Sequence, residues 1–163
     1  EYLVNEYDGP AFLRLTRQGV PRLHGDDYKF QPGKADVLRD GDDLTIVATG
    51  ACVGSAVEAA ERLEAEGVKA GVVNIHTIQP IDAETLGKLA AQTGKIMTVE
   101  DHGISGGMGS AVCEALAETT PARVHRVGLR EYGESGDTDD LYAKHHLDAD
   151  GVYLEAKAFL ENV

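Results

Sequence analysis

Cysteine is scarce and tryptophan is absent, since the 163 residues contain two cysteines and no tryptophan. Cys52 and Cys113 lie far apart beside helical patterns, so we expect two small core residues in a reducing, cytoplasmic compartment rather than a disulfide scaffold. No apolar run approaches the roughly 18 residues of a membrane-spanning helix. No basic segment followed by an apolar stretch opens the chain, so we expect no secretory signal.

Positive charge is also in short supply, with 15 Lys and Arg against 28 Asp and Glu and a formal net charge of −13. Nucleic-acid backbones and anionic membrane surfaces repel such a protein, so neither is an expected partner. The hydrophobic content of 42% and the charged content of 26% are ordinary for a globular protein, and the length suits one compact domain. The chain begins at Glu1 rather than Met, which predicts a processed protein or a piece of a longer one.

The chain divides into three segments. Residues 1–17 include a loosely alternating stretch, residues 11–16, that predicts a short strand. Residues 18–43 are rich in Gly, Pro, Asp and His and poor in apolar residues, which predicts a linker. A strand that precedes a long linker is expected to end a preceding domain. Residues 44–163 then form the regular domain.

Apolar periodicity within residues 44–163 predicts alternating strands and helices. The predicted strands span residues 44–49, 68–75, 96–99 and 124–129, and the predicted helices span residues 53–66, 82–92, 107–118, 139–145 and 149–161. Such alternation is typical of βαβ crossovers. We therefore predict an α/β fold, a three-layer Rossmann-like domain with a mostly parallel sheet of about four to five strands, covered on both faces.

A glycine-rich turn at residues 99–112 runs from a strand end into a helix, where unpaired N–H groups favour anions. Gly107 and Gly109 match the start of a dinucleotide fingerprint, but the third glycine is missing and no Walker lysine follows. Glu100 and Asp101 at its mouth would repel a phosphate. Tight backbone geometry is therefore the favoured role of the glycines, and nucleotide binding remains an alternative.

Single residues offer weak catalytic signals. His102 follows a strand and titrates near neutrality, which suits a general base, but no nucleophile accompanies it and a polar loop or interface residue is favoured. Arg14 and Arg17 have the planar fork that binds a phosphate or carboxylate in bidentate fashion. Without further context, both are expected to be surface arginines.

Other polar residues are predicted to be solvated or to form turns. His24 is expected in a solvated loop, and His145 and His146 as a solvated pair without metal spacing nearby. The segment from Gly133 to Gly136 lacks the Gly-x-Ser-x-Gly spacing of a nucleophile elbow, so it predicts a turn before the next helix.

Five segments in order resemble the transketolase family of thiamine-diphosphate enzymes. They are Gly9-Pro10 with Leu13 to Pro21, Thr77 to Asp82 with Gln79 in place of the family's usual Lys, Val99 to Val112, Tyr132 to Gly136, and Leu141 to Gly151. Each segment alone is a weak match, whereas the ordered set is fairly specific. The chain therefore resembles the C-terminal domain of that family, and residues 1–17 resemble the end of its pyrimidine-binding domain.

The resemblance implies a homodimeric enzyme of three domains. The first domain would bind the diphosphate and Mg²⁺ of thiamine diphosphate, the second its pyrimidine, and the third, represented here, would stabilise the dimer. The family's Gly-Asp-Gly…Asn-Asn motif is not satisfied by residues 41–43, and no match to its activating glutamate is found. We therefore expect no catalytic, cofactor-binding or metal-binding residue here, and no activity of the isolated chain.

One site residue follows from the resemblance. Arg17 matches the family arginine that contacts the phosphate of the sugar-phosphate substrate. Arg14 receives no role, and Glu100 and His102 match positions associated with the subunit contact. The implied activity of the whole enzyme is the transfer of a two-carbon ketol unit between ketose and aldose phosphates, as in the pentose phosphate pathway.

Three alternatives remain open at this stage. Two are enzymes that share the same third domain: 1-deoxyxylulose-5-phosphate synthase and the β-subunit of 2-oxo-acid dehydrogenase. The third is a non-catalytic dimerisation module.

Overall fold

The computed structural model describes residues 1–161. Its elements in chain order are α1 (Tyr2–Asn5), β1 (Asp36–Arg39), β2 (Leu44–Ala48), α2 (Cys52–Ala65), β3 (Ala70–Asn74), α3 (Ala83–Thr93), β4 (Lys95–Gly103), α4 (Met108–Glu118), β5 (Arg123–Leu129), α5 (Thr138–Lys144) and α6 (Ala149–Glu161). The four strands and five helices predicted within residues 44–161 are all present. Residues 162 and 163, the end of the predicted domain, lie outside the described residues.

The strands form one five-stranded sheet in the order β1-β3-β2-β4-β5. β2 pairs in parallel with both β3 and β4, and β4 pairs in parallel with β5. Only β1, at one edge, runs antiparallel to its neighbour β3. The predicted α/β class with a mostly parallel sheet is confirmed.

Two hydrophobic cores cover the two faces of the sheet. Leu44, Ile46 and Ala48 of β2 join the core beneath α2 and α6. Val47, pointing the other way, joins the core beneath α3 and α4. This division follows from the two-residue period of a strand. Because helices cover both faces, all five residues of β2 are buried, as expected for a central parallel strand.

The ends of α3 show how local sequence sets element boundaries. The Asp82 carboxylate accepts hydrogen bonds from Thr85 N at 3.2 Å and Thr85 Oγ1 at 2.8 Å, which caps the first turn. Gly94 ends the helix with a left-handed φ of 64°. Both features agree with the predicted helix start at residue 82 and stop at residues 93–94.

Two predictions for the first 43 residues are wrong. Residues 11–16 do not form a strand. Within the described chain they form no strand pairing with another segment, and Phe12 and Leu15 are 91% and 80% exposed. The predicted linker, residues 18–43, contains β1, in which Asp36 pairs with Asn74. A strand depends on hydrogen bonds to a neighbouring strand. The residue pattern of a segment as short as β1 or residues 11–16 therefore does not decide whether it forms a strand.

None of the described helices is both long enough and apolar enough to cross a membrane. The two cysteines are unpaired thiols. Cys52 is buried as predicted, and burial raises the pKa of its thiol to about 12. Cys113 on α4 is only half-buried, so the expectation of a core residue is correct for Cys52 alone.

Candidate functional site

The carboxyl edge of the sheet is where ligands bind in open α/β folds, at the point where neighbouring strands lead to opposite sides. Here that point lies between β2 and β4. β2 leads through α2 to β3 on one side, and β4 leads through α4 to β5 on the other. The segment from residue 11 to residue 35, here named the strap, has no helix or strand and lies along this edge.

An ion pair attaches the strap to the end of β4. Arg14 Nη1 donates to Asp101 Oδ1 at 2.6 Å, and Arg14 Nη2 donates to Asp101 Oδ2 at 3.0 Å. The Tyr142 hydroxyl of α5 donates to the same Oδ2 at 3.2 Å. The hydrogen bond to Asp101 raises the pKa of Arg14, while burial, followed by the Asp101 charge, raises the pKa of Tyr142. Arg14 is thus an exposed arginine, as its sequence context suggested, but its guanidinium is held by Asp101.

The strap continues across α2 to the far edge of the sheet. A Cβ added to Gly54, in the first turn of α2, would lie 2.6 Å from Pro21 Cγ, so the proline ring packs directly on the glycine. Further on, His24 Nε2 lies 3.1 Å from Asp36 Oδ2 of β1. The His24 ring stacks on Tyr28 at 3.9 Å between centroids. The predicted solvated position of His24 is therefore wrong.

A cleft of about 330 Å³ lies between the strap and the sheet edge. Its lining includes Leu13, Arg14 and Val20 from the strap, and Thr49, Asn74 and His76 from the ends of β2 and β3. Burial lowers the pKa of His76, which favours its neutral form. The cleft therefore lies at the ends of β2 and β3, beside the point between β2 and β4, and the strap forms one of its walls.

Arg17 lies on the strap between the contacts at Arg14 and Pro21. Its side chain is exposed and makes no hydrogen bond or ion pair with any residue from 1 to 161. The Thr16 hydroxyl accepts a hydrogen bond from Gln18 N at 3.1 Å, which closes a small turn around Arg17. The guanidinium therefore has all its donors available to an anion. Its assignment to a substrate phosphate remains a prediction.

A buried carboxylate occupies the N-terminus of α4. The Glu100 side chain is 1% exposed, and its two oxygens accept hydrogen bonds from Met108 N at 2.6 Å and Gly109 N at 2.7 Å. A Cβ at Gly107 would lie 2.3 Å from Glu100 Oε2, so the glycines permit this close approach. The predicted structural role of the glycines is confirmed.

Two functional ideas about the same turn are wrong. An anion does not fit at the N-terminus of α4, because the Glu100 carboxylate already accepts from its N–H groups and would repel a phosphate. Nucleotide binding at this turn is therefore not supported. Glu100 is also too deeply buried within its own chain to touch another subunit, whereas His102 is exposed at the end of β4.

The histidines of the last third also differ from expectation. His146 Nδ1 lies 2.7 Å from Glu155 Oε1, and His125 Nε2 lies 2.7 Å from Glu155 Oε2. Burial opposes ionisation of Glu155, but these two contacts hold its pKa below the ordinary value. His145 is half-buried and lies 3.8 Å from Glu134. The predicted solvated pair is therefore wrong for His145, which is half-buried, while His146 is exposed as predicted but is paired with Glu155 of α6.

Two features of this chain bear on the binding of thiamine diphosphate and Mg²⁺. Within residues 1–161, no three His, Cys, Asp or Glu side chains converge in a way that could hold a metal ion. The N-terminus of α4, which would otherwise suit a diphosphate, is satisfied by Glu100. The exposed turn at Ser135 leads into α5, whose cap is Asp137, and it holds no nucleophile elbow.

The sequence does not reveal Asp101 as the partner of the strap, or Tyr142 as a second donor to Asp101. Asp101 was noticed as a carboxylate at the mouth of the glycine-rich turn, but its partner Arg14 is 87 residues away in the chain. Strand alternation gives no signal for such a pair.

Fold and site together define an α/β domain with a docked leading segment that carries an available arginine. Residues 33–152 match the transketolase C-terminal domain family. The chain belongs to that family.

Similar proteins carry transketolase-type descriptions. The 6-deoxy-6-sulfo-D-fructose transketolase subunit SqwH of a Clostridium species is 41% identical over 156 residues, which cover 95% of this chain and 48% of that protein. An apulose-4-phosphate transketolase chain of Actinobacillus succinogenes is 38% identical over 155 residues, covering 93% and 50%. The chain thus spans about half the length of these two relatives.

A further protein and a solved structure are also similar to this chain. The 1-deoxy-D-xylulose-5-phosphate synthase of Heliobacterium modesticaldum is 43% identical over 156 residues, covering 93% of this chain and 24% of that protein. A solved structure described as a split gene transketolase, inactive beta4 tetramer, superposes with a TM-score of 0.84 at 41% identity, covering 88% of this chain and 48% of that one.

Proposed function

We propose that this chain is the C-terminal part of a thiamine-diphosphate-dependent transketolase, in which it serves assembly and forms the rim of the substrate site. The observation that carries the proposal is Arg17, an arginine without a partner among residues 1–161, on a strap fixed to the carboxyl edge of the sheet. A planar cation with parallel donors suits a phosphate or another tetrahedral anion.

The proposed reaction of the complete enzyme is the transfer of a two-carbon ketol unit between a ketose and an aldose that bear a terminal anion. The names of two relatives support this, because one contains a sulfo group and the other a phosphate. Arg17 would bind that anion and orient the sugar, while the reacting carbons lie elsewhere. We propose no catalytic residue in this chain.

Thiamine diphosphate and Mg²⁺ would be bound by domains or a subunit outside this chain. Support comes from Glu100, which fills the N-terminus of α4, the helix that follows the glycine-rich turn. When bound, the cofactor would supply the carbon–carbon bond chemistry.

The assembly role is supported by apolar side chains that lie exposed on α1, on the strap and on the loop after β5. Val4, Phe12, Leu15, Val20 and Tyr132 are all more than half exposed. Exposed apolar groups of this kind mark contact surfaces. We propose that they pack against the preceding pyrimidine-binding domain and a second copy of the enzyme.

The first test concerns Arg17 in the complete enzyme. Arg17→Ala should raise KM for a phosphorylated ketose about tenfold and leave kcat within about twofold, because uniform binding to the anion is lost. KM for a ketol donor without phosphate should not change. Arg22→Ala is the matched control, since Arg22 pairs only with nearby groups, at Asp26 and the His24 carbonyl. An unchanged KM for the phosphorylated ketose in Arg17→Ala, or an equal rise in KM for both substrates, would contradict the proposal.

A second candidate function is 1-deoxyxylulose-5-phosphate synthase, which the Heliobacterium modesticaldum relative favours. The two enzymes differ in the donor that they accept. Xylulose 5-phosphate as the productive donor would support transketolase, whereas pyruvate as the productive donor would support the synthase.

A further inference from the structure

We propose that Arg14, through its ion pair with Asp101, is a positioning residue that holds the loop of residues 15–20 so that Arg17 faces the substrate anion. The proposal rests on the proposed function of Arg17. It assigns a role to two residues that lie outside the substrate contact itself. The strap is fixed to the domain at two points, one on either side of Arg17.

The first fixed point is the pair of Arg14 and Asp101. Two parallel hydrogen bonds of 2.6 Å and 3.0 Å restrain the direction of the guanidinium as well as its distance. Arg14 Nη2 also lies 3.4 Å from the Asp101 carbonyl oxygen. The Asp101 side chain is 15% exposed and accepts a further hydrogen bond from Tyr142. The acceptor is therefore held by the domain before the strap contacts it.

The second fixed point is the contact between Pro21 and Gly54. Gly54 lies in the first turn of α2, directly after β2, and its missing side chain leaves the space that the proline ring fills. Val20 beside Pro21 lines the cleft between the strap and the sheet edge. The loop of residues 15–20 is thus attached at one end to β4 and at the other end to α2.

Fixing both ends of a short loop matters because Arg17 has a long, flexible side chain. An arginine on a free segment loses both backbone and side-chain entropy when it binds an anion. When the backbone is already ordered, less entropy is lost on binding and the affinity is higher. The two fixed points therefore act on substrate binding through Arg17 and not on the reacting atoms.

A direct contact between Arg14 and the substrate makes the opposite prediction for Asp101. If Arg14 itself bound the anion, Asp101→Asn would release its guanidinium and strengthen binding. If Arg14 positions Arg17, Asp101→Asn weakens binding to the same degree as Arg14→Ala. This difference in sign distinguishes the two roles.

The experiment uses the complete enzyme, with KM and kcat measured for a phosphorylated ketose and for a ketol donor without phosphate. We expect Arg14→Ala and Asp101→Asn each to raise KM for the phosphorylated substrate about three- to tenfold, with kcat within about twofold. Arg14→Lys should recover part of the loss. The double variant Arg14→Ala with Arg17→Ala should bind no more weakly than Arg17→Ala alone, because residues that act through one another are not additive.

A further variant distinguishes a loss of positioning from a loss of folding. Gly54→Ala replaces a helix glycine with a better helix former, yet its Cβ would displace Pro21. It should therefore keep or raise the melting temperature, raise KM for the phosphorylated substrate, and speed hydrogen exchange in residues 15–20. Arg22→Ala should change none of these values.

The outcomes separate the two proposals. A raised KM in Arg17→Ala together with an unchanged KM in both Arg14→Ala and Asp101→Asn overturns the positioning role and leaves the proposed function intact. A lowered KM in Asp101→Asn likewise overturns it. An unchanged KM in Arg17→Ala overturns the proposed function and the positioning role together.

Discussion

Glu100 Oε1 accepts a hydrogen bond of 2.7 Å from the main-chain N–H of Gly109, and this contact joins the end of β4 to the first turn of α4. The carboxylate is buried between the strand and the helix, and it satisfies two N–H groups that no helix can satisfy internally. A stretch that resembles a phosphate-binding turn in sequence therefore has a structural role, because it connects β4 to α4 through Glu100.

Gly109→Ala should destabilise the domain by about 1–3 kcal/mol, a typical cost of overpacking. The new Cβ would lie 2.6 Å from Thr98 Oγ1 and 3.0 Å from Glu100 Oε1. The measurement is the free energy of unfolding in urea. Gly87→Ala in α3 is the matched control, because its Cβ would meet Thr120 Oγ1 at an ordinary 3.4 Å. Equal stabilities of the two variants would contradict the close-approach role of Gly109.

Glu100→Gln should also destabilise the domain, by about 1–3 kcal/mol. An amide offers one acceptor oxygen, so either the Met108 or the Gly109 N–H would face an NH₂ group and lose its partner. Chemical denaturation measures the loss. Glu114→Gln is the control and should be neutral, because Glu114 is exposed on α4, the same helix that Glu100 caps. A neutral result for Glu100→Gln would show that these two hydrogen bonds contribute little to the free energy of unfolding.

Nucleotides should not stabilise the protein. With Glu100 filling the helix N-terminus, millimolar nucleotide is expected to leave the melting temperature unchanged in a thermal-shift assay. Bound ligand at 100 times its dissociation constant would add about 2.7 kcal/mol and raise the melting temperature clearly. Such a rise would mean that the turn opens to accept a phosphate.

Asp82 should make stability depend on acid pH. Burial opposes its ionisation, but hydrogen bonds from Ala35 N and Thr85 hold its pKa below the ordinary value. A depressed carboxyl pKa adds stability that is complete above the unfolded pKa of about 3.9 and is lost as pH falls through the lower folded pKa. We expect wild type to lose stability below about pH 4 more steeply than Asp82→Asn, as measured by urea midpoints from pH 2 to pH 7.

Asp82→Asn should in addition lower stability near neutral pH by about 1 kcal/mol, because an amide has one acceptor oxygen and cannot accept from both Ala35 N and Thr85 N in the same way. Glu84→Gln provides a control, because Glu84 is exposed on the same helix and pairs only with lysines at the surface. Parallel pH profiles for wild type and Asp82→Asn would argue against the role of Asp82.

The isolated chain should show no ketol transfer when thiamine diphosphate and Mg²⁺ are added. Within residues 1–161 no cluster of three metal-ligating side chains is present, so we expect activity to require cofactor-binding residues outside this chain. Mixing the chain with the cofactor-binding portion should restore turnover if the two are separate subunits. Turnover by the isolated chain alone would contradict the proposal that the cofactor is bound outside this chain.

Elements with strong local signals were predictable from sequence. The span predicted for α3, from Asp82 to Gly94, agrees with its observed cap and its left-handed stop, because both signals act within a few residues. The alternation of apolar strands and amphipathic helices predicted the parallel sheet. By contrast, β1 was missed, because an antiparallel edge strand of four residues depends on pairing with β3 rather than on its own pattern.

The sequence by itself determined the alternation of strands and helices from residue 44 onward, the cap of α3 and the class of sheet, because hydrophobic period and capping chemistry are local. Only the tertiary structure decided that Arg14 meets Asp101, that Glu100 fills the helix N-terminus, and that Glu155 joins His125 to His146. Each of these contacts depends on which strand lies beside which and where the carboxyl edges meet. That arrangement is a property of the folded chain as a whole.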